Sequence, residues 1–421
     1  MSQQKLKGTI DYYNDKSKKL RYIQNITSEI VGKFGFEEII LPIIENTNVF
    51  SRSSGEESDI VTKEMYTFLD RGNRSITLRP EGTAGVVRSY LENKLYIEPG
   101  IKKLYYFGPM FRYERPQAGR YRQFYQFGIE AFGEGSYLLD ADIILTAYEI
   151  FKMLKINNIK VLINSIGDFN SRNNYAKVLQ EYFKDNITDL CADCKRRYNT
   201  NPLRILDCKI DKNNPIIKSA PKINEYLTVE SKLYFENLIK TLEINNIPFE
   251  VDTNLVRGLD YYTDTVFEFI IENSDSLEGL ALGGGGKYAS LVKSMGGPDI
   301  PGVGYAFGIE RIISIMEENN SFPSFNASID CVILSLDEIS KIESMKIASE
   351  LRKNNISVDY DYTSLNMKPQ FKLADRLSAK YVLIYGEKER NNKSIVVKNQ
   401  KNTHQEIVKL ENLIAYLKQG E

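Results

Sequence analysis

Residues 103–132 read KLYYFGPMFRYERPQAGRYRQFYQFGIEAF. Two runs rich in aromatic and apolar residues, KLYYFGPMFRY (103–113) and QFYQFGIEAF (123–132), flank the polar segment ERPQAGRYR. Such runs, punctuated by Gly, Pro and charge, predict an antiparallel hairpin with a long loop. Arg112, Arg115, Arg120 and Arg122 stand on or beside that loop, interleaved with Tyr113, Tyr121 and Tyr125. A set of guanidinium groups of this density suits phosphate oxygens or the end of an RNA, although by itself it reads more simply as a solvated charged loop. What points to a ligand is that Gln126, Glu130 and the segment TLRPEGTA (77–84) put polar groups into apolar strand surroundings, where unpaired charge is costly.

Outward from the hairpin, Leu20, Ile23, Ile30, Val31 and Phe34 fall near helical spacing and predict a helix over 18–34 with Gly35 as its C-cap. FEEIILPII (36–44) reads as a buried strand, with Pro42 marking an edge or an interface position. A helix is expected from about 138 to 155, then a lysine-rich, cysteine-containing inserted helical module at about 165–245. Strand character returns over 249–272, followed by LALGGGGKYASLV (280–292) and the helical GYAFGIERIISIMEEN (304–319). ENNSFPSFNAS (318–328) has the composition of a linker. Beyond it, strands at 329–335, 356–361, 380–386 and 393–398 alternate with helices at 337–353, 367–378 and 405–418, the pattern of a small α/β domain. The expected division is therefore 1–325, an α+β domain on an antiparallel sheet carrying the insertion, and 326–421, a small α/β domain.

Composition narrows the chemistry. The chain has 421 residues, 42% hydrophobic and 26% charged, and its net charge of −1 makes no global case for nucleic acid, so any RNA contact rests on local basic patches. No apolar stretch approaches membrane-spanning length and no secretory leader is legible, which predicts a cytoplasmic protein without membrane contact. The single histidine, His404, lies in the polar KNTHQE (401–406), so a Ser/His/Asp triad and a histidine-rich metal site are excluded. Three of the four cysteines, Cys191, Cys194 and Cys208, sit in LCADCKRRYNTNPLRILDC (190–208). A zinc site there would need a carboxylate or a distant residue as fourth ligand, and reduced structural thiols with no metal are the simpler expectation. The run Gly283–Gly286 before Lys287 fails as a phosphate-binding P-loop, because Ala281 replaces the first glycine and Tyr288 follows the lysine; a close backbone approach to a neighbour or ligand is the better reading.

Several long strings together resemble the class II aminoacyl-tRNA synthetases. GFEEIILPIIE (35–45), FRYERPQAGRYRQFYQFGIEAFG (111–133) and GVGYAFGIERI (302–312) are similar to that class's motifs 1, 2 and 3, and TLRPEGTA with LVRGLDYYTDTVFEF (255–269) narrows the likeness to the histidyl-tRNA synthetase family. SLNMKPQFKLADRLSAKYVLIYGEKE (364–389) resembles the core of the anticodon-binding domain, where Lys368, Lys372 and Arg376 are candidate RNA contacts.

The resemblance implies an enzyme that activates histidine with ATP and Mg2+ and transfers it to tRNA(His), working as a homodimer whose symmetric interface is built by motif 1. It implies catalytic roles for Arg257 and Arg112, ATP contacts from Arg112, Arg257 and Arg311, and histidine contacts from Glu81, Thr83, Gln126, Glu130, Tyr261 and Tyr262. The tRNA acceptor end would fall to Arg115, Gln117, Arg120 and Arg122. The chain departs from the family pattern in GTIDYYND (8–15), at Ala118 and in GGGKYASL (284–291), where Lys287 stands in place of an arginine. The alternative from another class is a non-catalytic synthetase-like regulatory subunit of histidine biosynthesis, which typically lacks the anticodon domain and the histidine signature present here.

Overall fold

A computed structural model describes residues 3–54, 60–116, 119–208, 210–211, 213–257, 261–274, 279–325, 329–402 and 404–419. The chain divides into two compact units, residues 1–322 and 323–421.

In the first unit, α1 (Asp15–Lys33) leads into β1 (Glu37–Glu38), β2 (Ile44–Asn46), α2 (Thr47–Ser54), β3 (Tyr66–Leu69), β4 (Ser75–Leu78) and α3 (Thr83–Glu92). The hairpin β5 (Lys102–Phe111) and β6 (Gln123–Phe132) is followed by α4 (Tyr137–Met153) and β7 (Ile159–Ser165). The insertion then supplies α5 (Phe169–Phe183), α6 (Ala192–Thr200), α7 (Pro215–Lys218) and α8 (Val229–Ile244). The chain returns through β8 (Glu250–Val251), β9 (Thr263–Ile271), β10 (Ala281–Tyr288), α9 (Leu291–Ser294), β11 (Gly302–Gly308) and α10 (Ile309–Glu318).

One sheet carries this unit, in the order β1-β5-β6-β11-β10-β9-β7-β8. Its six inner strands are antiparallel, and the two-residue β1 and β8 pair in parallel at the edges. Side chains alternate across such strands, and here the two faces have different tasks. On β6, Phe127, Ile129 and Ala131 pack with side chains of α1, α4, α8 and α10 into one core, leaving Gln126, Gly128 and Glu130 on the opposite face. That core explains α1: Leu20, Ile23, Thr27, Ile30 and Val31 recur at helical spacing and are all buried. Gly35, at φ 80°, ends the helix in the left-handed conformation that glycine adopts freely.

The helix expected over 304–319 begins only at Ile309, because Gly302–Gly308 pair with β6 as strand β11. Three more expectations need correction. FEEIILPII is not a buried strand: only Glu37 and Glu38 enter the ladder, and Ile40 is 86% exposed. The chain leaves the sheet after the Ile39 amide donates to the Tyr105 carbonyl, passes through Pro42, which has no N–H to give, and starts again as β2 in a separate three-stranded sheet. The strand expected over 249–272 is broken into β8 and β9, with Arg257 on the loop between them.

The third correction lies in the second unit. It holds β12 (Cys331–Ser335), α11 (Glu338–Lys353), β13 (Val358–Tyr360), α12 (Met367–Arg376), β14 (Tyr381–Tyr385), α13 (Glu387–Asn391), β15 (Ser394–Asn399), β16 (Gln405–Lys409) and α14 (Leu413–Gln419). The sheet order is β13-β12-β14-β15-β16. Residues 405–409, expected to begin a helix, pair with β15 instead, because a five-residue apolar and polar mixture fits either period until a neighbouring edge selects one.

Lys287, the departure in the glycine-rich segment, is on β10 with its ammonium 2.9 Å from an Asp264 oxygen and 4.2 Å from the centre of the Tyr234 ring. Nearby, Asp140 accepts from Thr265 and Tyr234, and Asp264 accepts from Ser231. One ion pair thus closes a polar network under β9 and β10. Lys287→Met should leave Asp264 without its cation and lower the unfolding free energy by about 1–3 kcal/mol. Urea titration of native and variant protein checks this; equal midpoints would contradict it.

Candidate active site

The face of the sheet opposite the α1, α4, α8 and α10 core carries a cavity of about 530 Å³ in the first unit, a size ordinary for a small-molecule site. Its floor is strands β6, β9, β10 and β11, and the glycine run on β10 explains how they accommodate ligand-facing groups. A Cβ on Gly284 would come within 2.9 Å of the Arg257 guanidinium, and one on Gly286 within 2.9 Å of the Tyr262 ring. Glycine at these positions makes room for two candidate site residues, the close approach expected of the run.

One end of the cavity is lined with acceptors. Glu81, at the start of α3, accepts from the amides of Thr83 (2.7 Å) and Ala84 (2.9 Å), which fixes the helix start. The Thr83 hydroxyl, so positioned, donates to Glu130 at 2.6 Å, and Tyr288 donates to the other Glu130 oxygen. Burial pushes the Glu130 carboxyl up to about 8, against the pull of these two hydrogen bonds and with Glu81 adding to the rise. Burial also raises Glu81, opposed by the Ala84 and Thr83 amides. The Tyr261 and Tyr262 ring centres are 4.6 Å apart beside this group, and Tyr261 stands edge-on to Tyr288. Among the described residues, the Gln126 carbonyl oxygen and the Tyr106 hydroxyl have no hydrogen-bond partner although both are buried. Unmet buried polar atoms facing a cavity are best accounted for by a polar ligand.

The other end is cationic. Arg112 donates to the Pro80 carbonyl (2.8 Å) and lies 5.2 Å from the centre of the Phe124 ring, so it is held from two sides. Arg257 pairs with Glu268 and lies over Tyr262, with its Nε buried and unpartnered among the described residues. Arg311, in the first turn of α10, donates to the Gly119 and Ala281 carbonyls. Burial, together with the Arg120 and Arg112 charges, pushes Arg311 below its ordinary value, the mark of a cluster of cations that an anion would relieve. The arginines, with Glu114, Glu268 and Glu310 among them, and the acceptor group together define a bipolar site.

Most of the residues named from the sequence thus converge: Glu81, Thr83, Gln126, Glu130, Tyr261 and Tyr262 line one part of the cavity, and Arg112, Arg120, Arg257 and Arg311 another. Arg115 is exposed and does not line it, and Arg122 packs 4.4 Å from the centre of the Tyr113 ring on the hairpin loop. Gln117, Ala118 and residues 258–260 lie outside the described residues. Lys287 does not line the cavity either, so that departure acts on the network beneath the sheet. Sequence reasoning missed Glu268, Tyr288 and Tyr106, and the wall contributed by the insertion, including Arg197, Arg204 and Asp207. Glu268 was detectable as a charge inside the apolar strand VFEFII (266–271).

Similarity to known proteins identifies the family. Residues 8–312 match the family model described as histidyl-tRNA synthetase, and residues 330–420 match that of an anticodon binding domain. The chain belongs to the histidyl-tRNA synthetase family. It is 46% identical to the histidine–tRNA ligase of Bacillus licheniformis over 98% of this chain and 97% of that protein, and 45% identical to that of Anoxybacillus flavithermus over 99% of each. Among solved structures, the apo histidyl-tRNA synthetase of S. aureus superposes with a TM-score of 0.85 at 39% identity over 99% of both chains. A Bacillus halodurans structure titled ATP phosphoribosyltransferase regulatory subunit/histidyl-tRNA synthetase is only 19% identical, at a TM-score of 0.66, and shares the fold alone. The regulatory-subunit alternative is therefore no better supported than before. The class II fold of the histidyl-tRNA synthetase family, a large mixed sheet with helices and a separate C-terminal anticodon-binding domain, is the one found here.

Glu130 sets a pH signature. Unfolded, it ionises near 4.5; in the folded, ligand-free protein it keeps its proton to about 8, so between these values the folded state binds more protons and its stability falls as pH rises. Glu130→Gln removes that loss. The variant's stability relative to the native chain should therefore climb from pH 5 to pH 8 and level off above, measured by chemical unfolding at each pH. A difference that does not vary with pH would contradict the burial argument.

Proposed function

We propose that the chain activates histidine with ATP, forming histidyl-adenylate and pyrophosphate, and then transfers histidine to the 3′ end of tRNA(His). The observation that carries this reading is the bipolar cavity, in which buried acceptors suited to an amino acid face a cluster of arginines suited to a triphosphate.

In the first step a histidine carboxylate oxygen forms a bond to the α-phosphorus of ATP as the bond to pyrophosphate breaks. Negative charge then gathers on a crowded phosphoryl group, where fixed cations are worth most. Arg112 would hold the α-phosphate, and Arg257, anchored by Glu268 and Tyr262, would lie near the attacking carboxylate. Arg311 would cover the adenine and reach the γ-phosphate. The unmet Gln126 oxygen, with Glu81 and Thr83, would receive the α-ammonium, a donor only. Glu130 and Tyr262 would bond the imidazole, with Tyr261 packed beside them. Because a carboxyl group left unmatched there is costly, analogues unable to return its hydrogen bond would be rejected.

Mg2+ would supply charge neutralisation on the triphosphate. Glu268 and Glu310, two of the lining carboxylates, are already engaged by Arg257 and by the Tyr125 amide, which fits a cation held chiefly by phosphate oxygens. In the second step the terminal ribose hydroxyl attacks the histidyl carbonyl and AMP leaves. A phosphate oxygen of the adenylate would take the proton, since no histidine is among the described residues that line the cavity. Arg115, Gln117, Arg120 and Arg122 would meet the acceptor end, and Lys368, Lys372 and Arg376, exposed on one face of α12, the anticodon region.

A homodimer belongs to the same reading. Ile40, Ile43 and Ile44 are exposed beside Pro42, an apolar run that a second copy of the chain would cover. No described helix is long and apolar enough to cross a membrane, and cytoplasmic translation is where the reaction is needed.

Two outcomes are expected. ATP–pyrophosphate exchange should depend on histidine among the amino acids, and Arg257→Ala should reduce it by roughly 100-fold or more. Exchange with no amino acid in a folded, ATP-binding protein would overturn the proposal. Light scattering should return twice the chain mass, and a monomer at micromolar concentration would contradict the dimer.

A further inference from the structure

The three cysteines of the insertion lack a fourth ligand within their own stretch, and the fold supplies one. After Cys208 the chain turns back so that Asp211 joins Cys191, Cys194 and Cys208, and one ligand atom from each of the four lies within 4.8 Å of the others. We propose that these residues form a structural Zn2+ site that fixes the insertion's wall of the active-site cavity.

Two of the ligand–ligand distances already match the edges of a metal shell. Tetrahedral zinc with Zn–S bonds of about 2.3 Å and Zn–O of about 2.0 Å requires S–S edges of roughly 3.8 Å and S–O edges of roughly 3.5 Å. The Cys191 and Cys208 sulfurs are 3.6 Å apart, and the Cys208 sulfur is 3.6 Å from an Asp211 oxygen. A disulfide needs about 2.05 Å, and all four cysteines of the chain are free. Burial raises the Cys191 and Cys194 thiols, so thiolates form there against a bound cation, and the local backbone assists. Cys191 is the N-cap of α6 and Cys194 lies in its first turn, at the positive end of the helix. The Asp211 amide donates to the Cys208 sulfur at 3.3 Å, and the Cys191 amide to an Asp211 oxygen at 2.9 Å, so neighbouring backbone groups orient the ligands.

Cys194 and Cys208 are buried while Cys191 and Asp211 reach the surface, which gives an ion a way in. Four protein ligands leave no open position, so the site is structural and takes no part in adenylation. Its consequence lies next door. The segment it ties together contributes Arg197, Arg204, Asp207 and Cys208 to the cavity lining. The inference stands on ligand geometry alone and does not depend on the reaction proposed above.

The test is elemental analysis of the full-length chain, purified without chelators under anaerobic, reducing conditions and dialysed exhaustively. About one zinc per chain is expected. Co2+ exchanged into the site should give sulfur-to-metal charge transfer and the intense visible bands of a tetrahedral centre. Asp211→Asn, at a partly exposed position that the fold tolerates better than a change at Cys194, should weaken zinc retention against a chromophoric chelator by tenfold or more. No bound metal after incubation with zinc, an octahedral cobalt spectrum, or a Cys191–Cys208 disulfide as the main species would overturn the site. Unaltered retention in Asp211→Asn would overturn the four-ligand assignment.

Discussion

A carboxyl group lies almost fully buried near the centre of an eight-stranded sheet, and much of the first unit can be traced to the need to accommodate it. Glu130 on β6 survives there because Thr83 and Tyr288 donate to its two oxygens. Thr83 is in place because Glu81 caps the first turn of α3, and α3 is in place because β4 delivers it to that side of the sheet. On the neighbouring strand Gly304 has no side chain, and a Cβ there would run into the Glu130 carboxylate. Four strands and one helix thus share a single constraint, and burial holds the group in its protonated form until about pH 8. Such an arrangement costs stability in the empty protein and is retained where a ligand completes it.

The arginines at the other end of the cavity are arranged on a different principle. None is held by a single contact: Arg112 has a carbonyl and a ring, Arg257 a carboxylate and a ring, Arg311 two carbonyls. On the proposed reading, groups immobilised before a triphosphate arrives would remove reorganisation from the reaction step, which is where electrostatic catalysis gains most. The glycines of β10 serve both ends, since their bare backbone lets Arg257 and Tyr262 approach the sheet.

Much of this was legible in the chain. The hairpin of 103–132, the amphipathic α1 with its Gly35 stop and the α/β alternation after residue 329 follow from periodicity and punctuation, the presence of a ligand site from polar groups placed in apolar strands, and its division into histidine and ATP contacts from the family resemblance alone. The failures have local causes. Ile39–Ile44 is apolar enough for a buried strand, yet the ladder ends at Glu38 and leaves Ile40, Ile43 and Ile44 at the surface around Pro42. Residues 405–409 are too short for their period to be read, and the edge of β15 decided it. Asp211 could not be paired with the cysteines from sequence, because an exposed-looking aspartate three residues beyond Cys208 carries no signal until the turn is seen. Tyr288 was read only as spoiling a P-loop, since nothing in the sequence shows that β10 lies two strands from β6.

The central claim is that the Glu130 end of the cavity reads the imidazole while the arginine end holds the phosphates. A crystal structure of the chain with histidine and a non-hydrolysable ATP analogue tests it most directly. The imidazole should lie against Glu130 and Tyr262, the α-ammonium against Glu81, Thr83 and Gln126, and the α-phosphate between Arg112 and Arg257. A bound histidine with its imidazole turned away from Glu130, or a nucleotide whose phosphates avoid Arg112 and Arg257, would contradict the account.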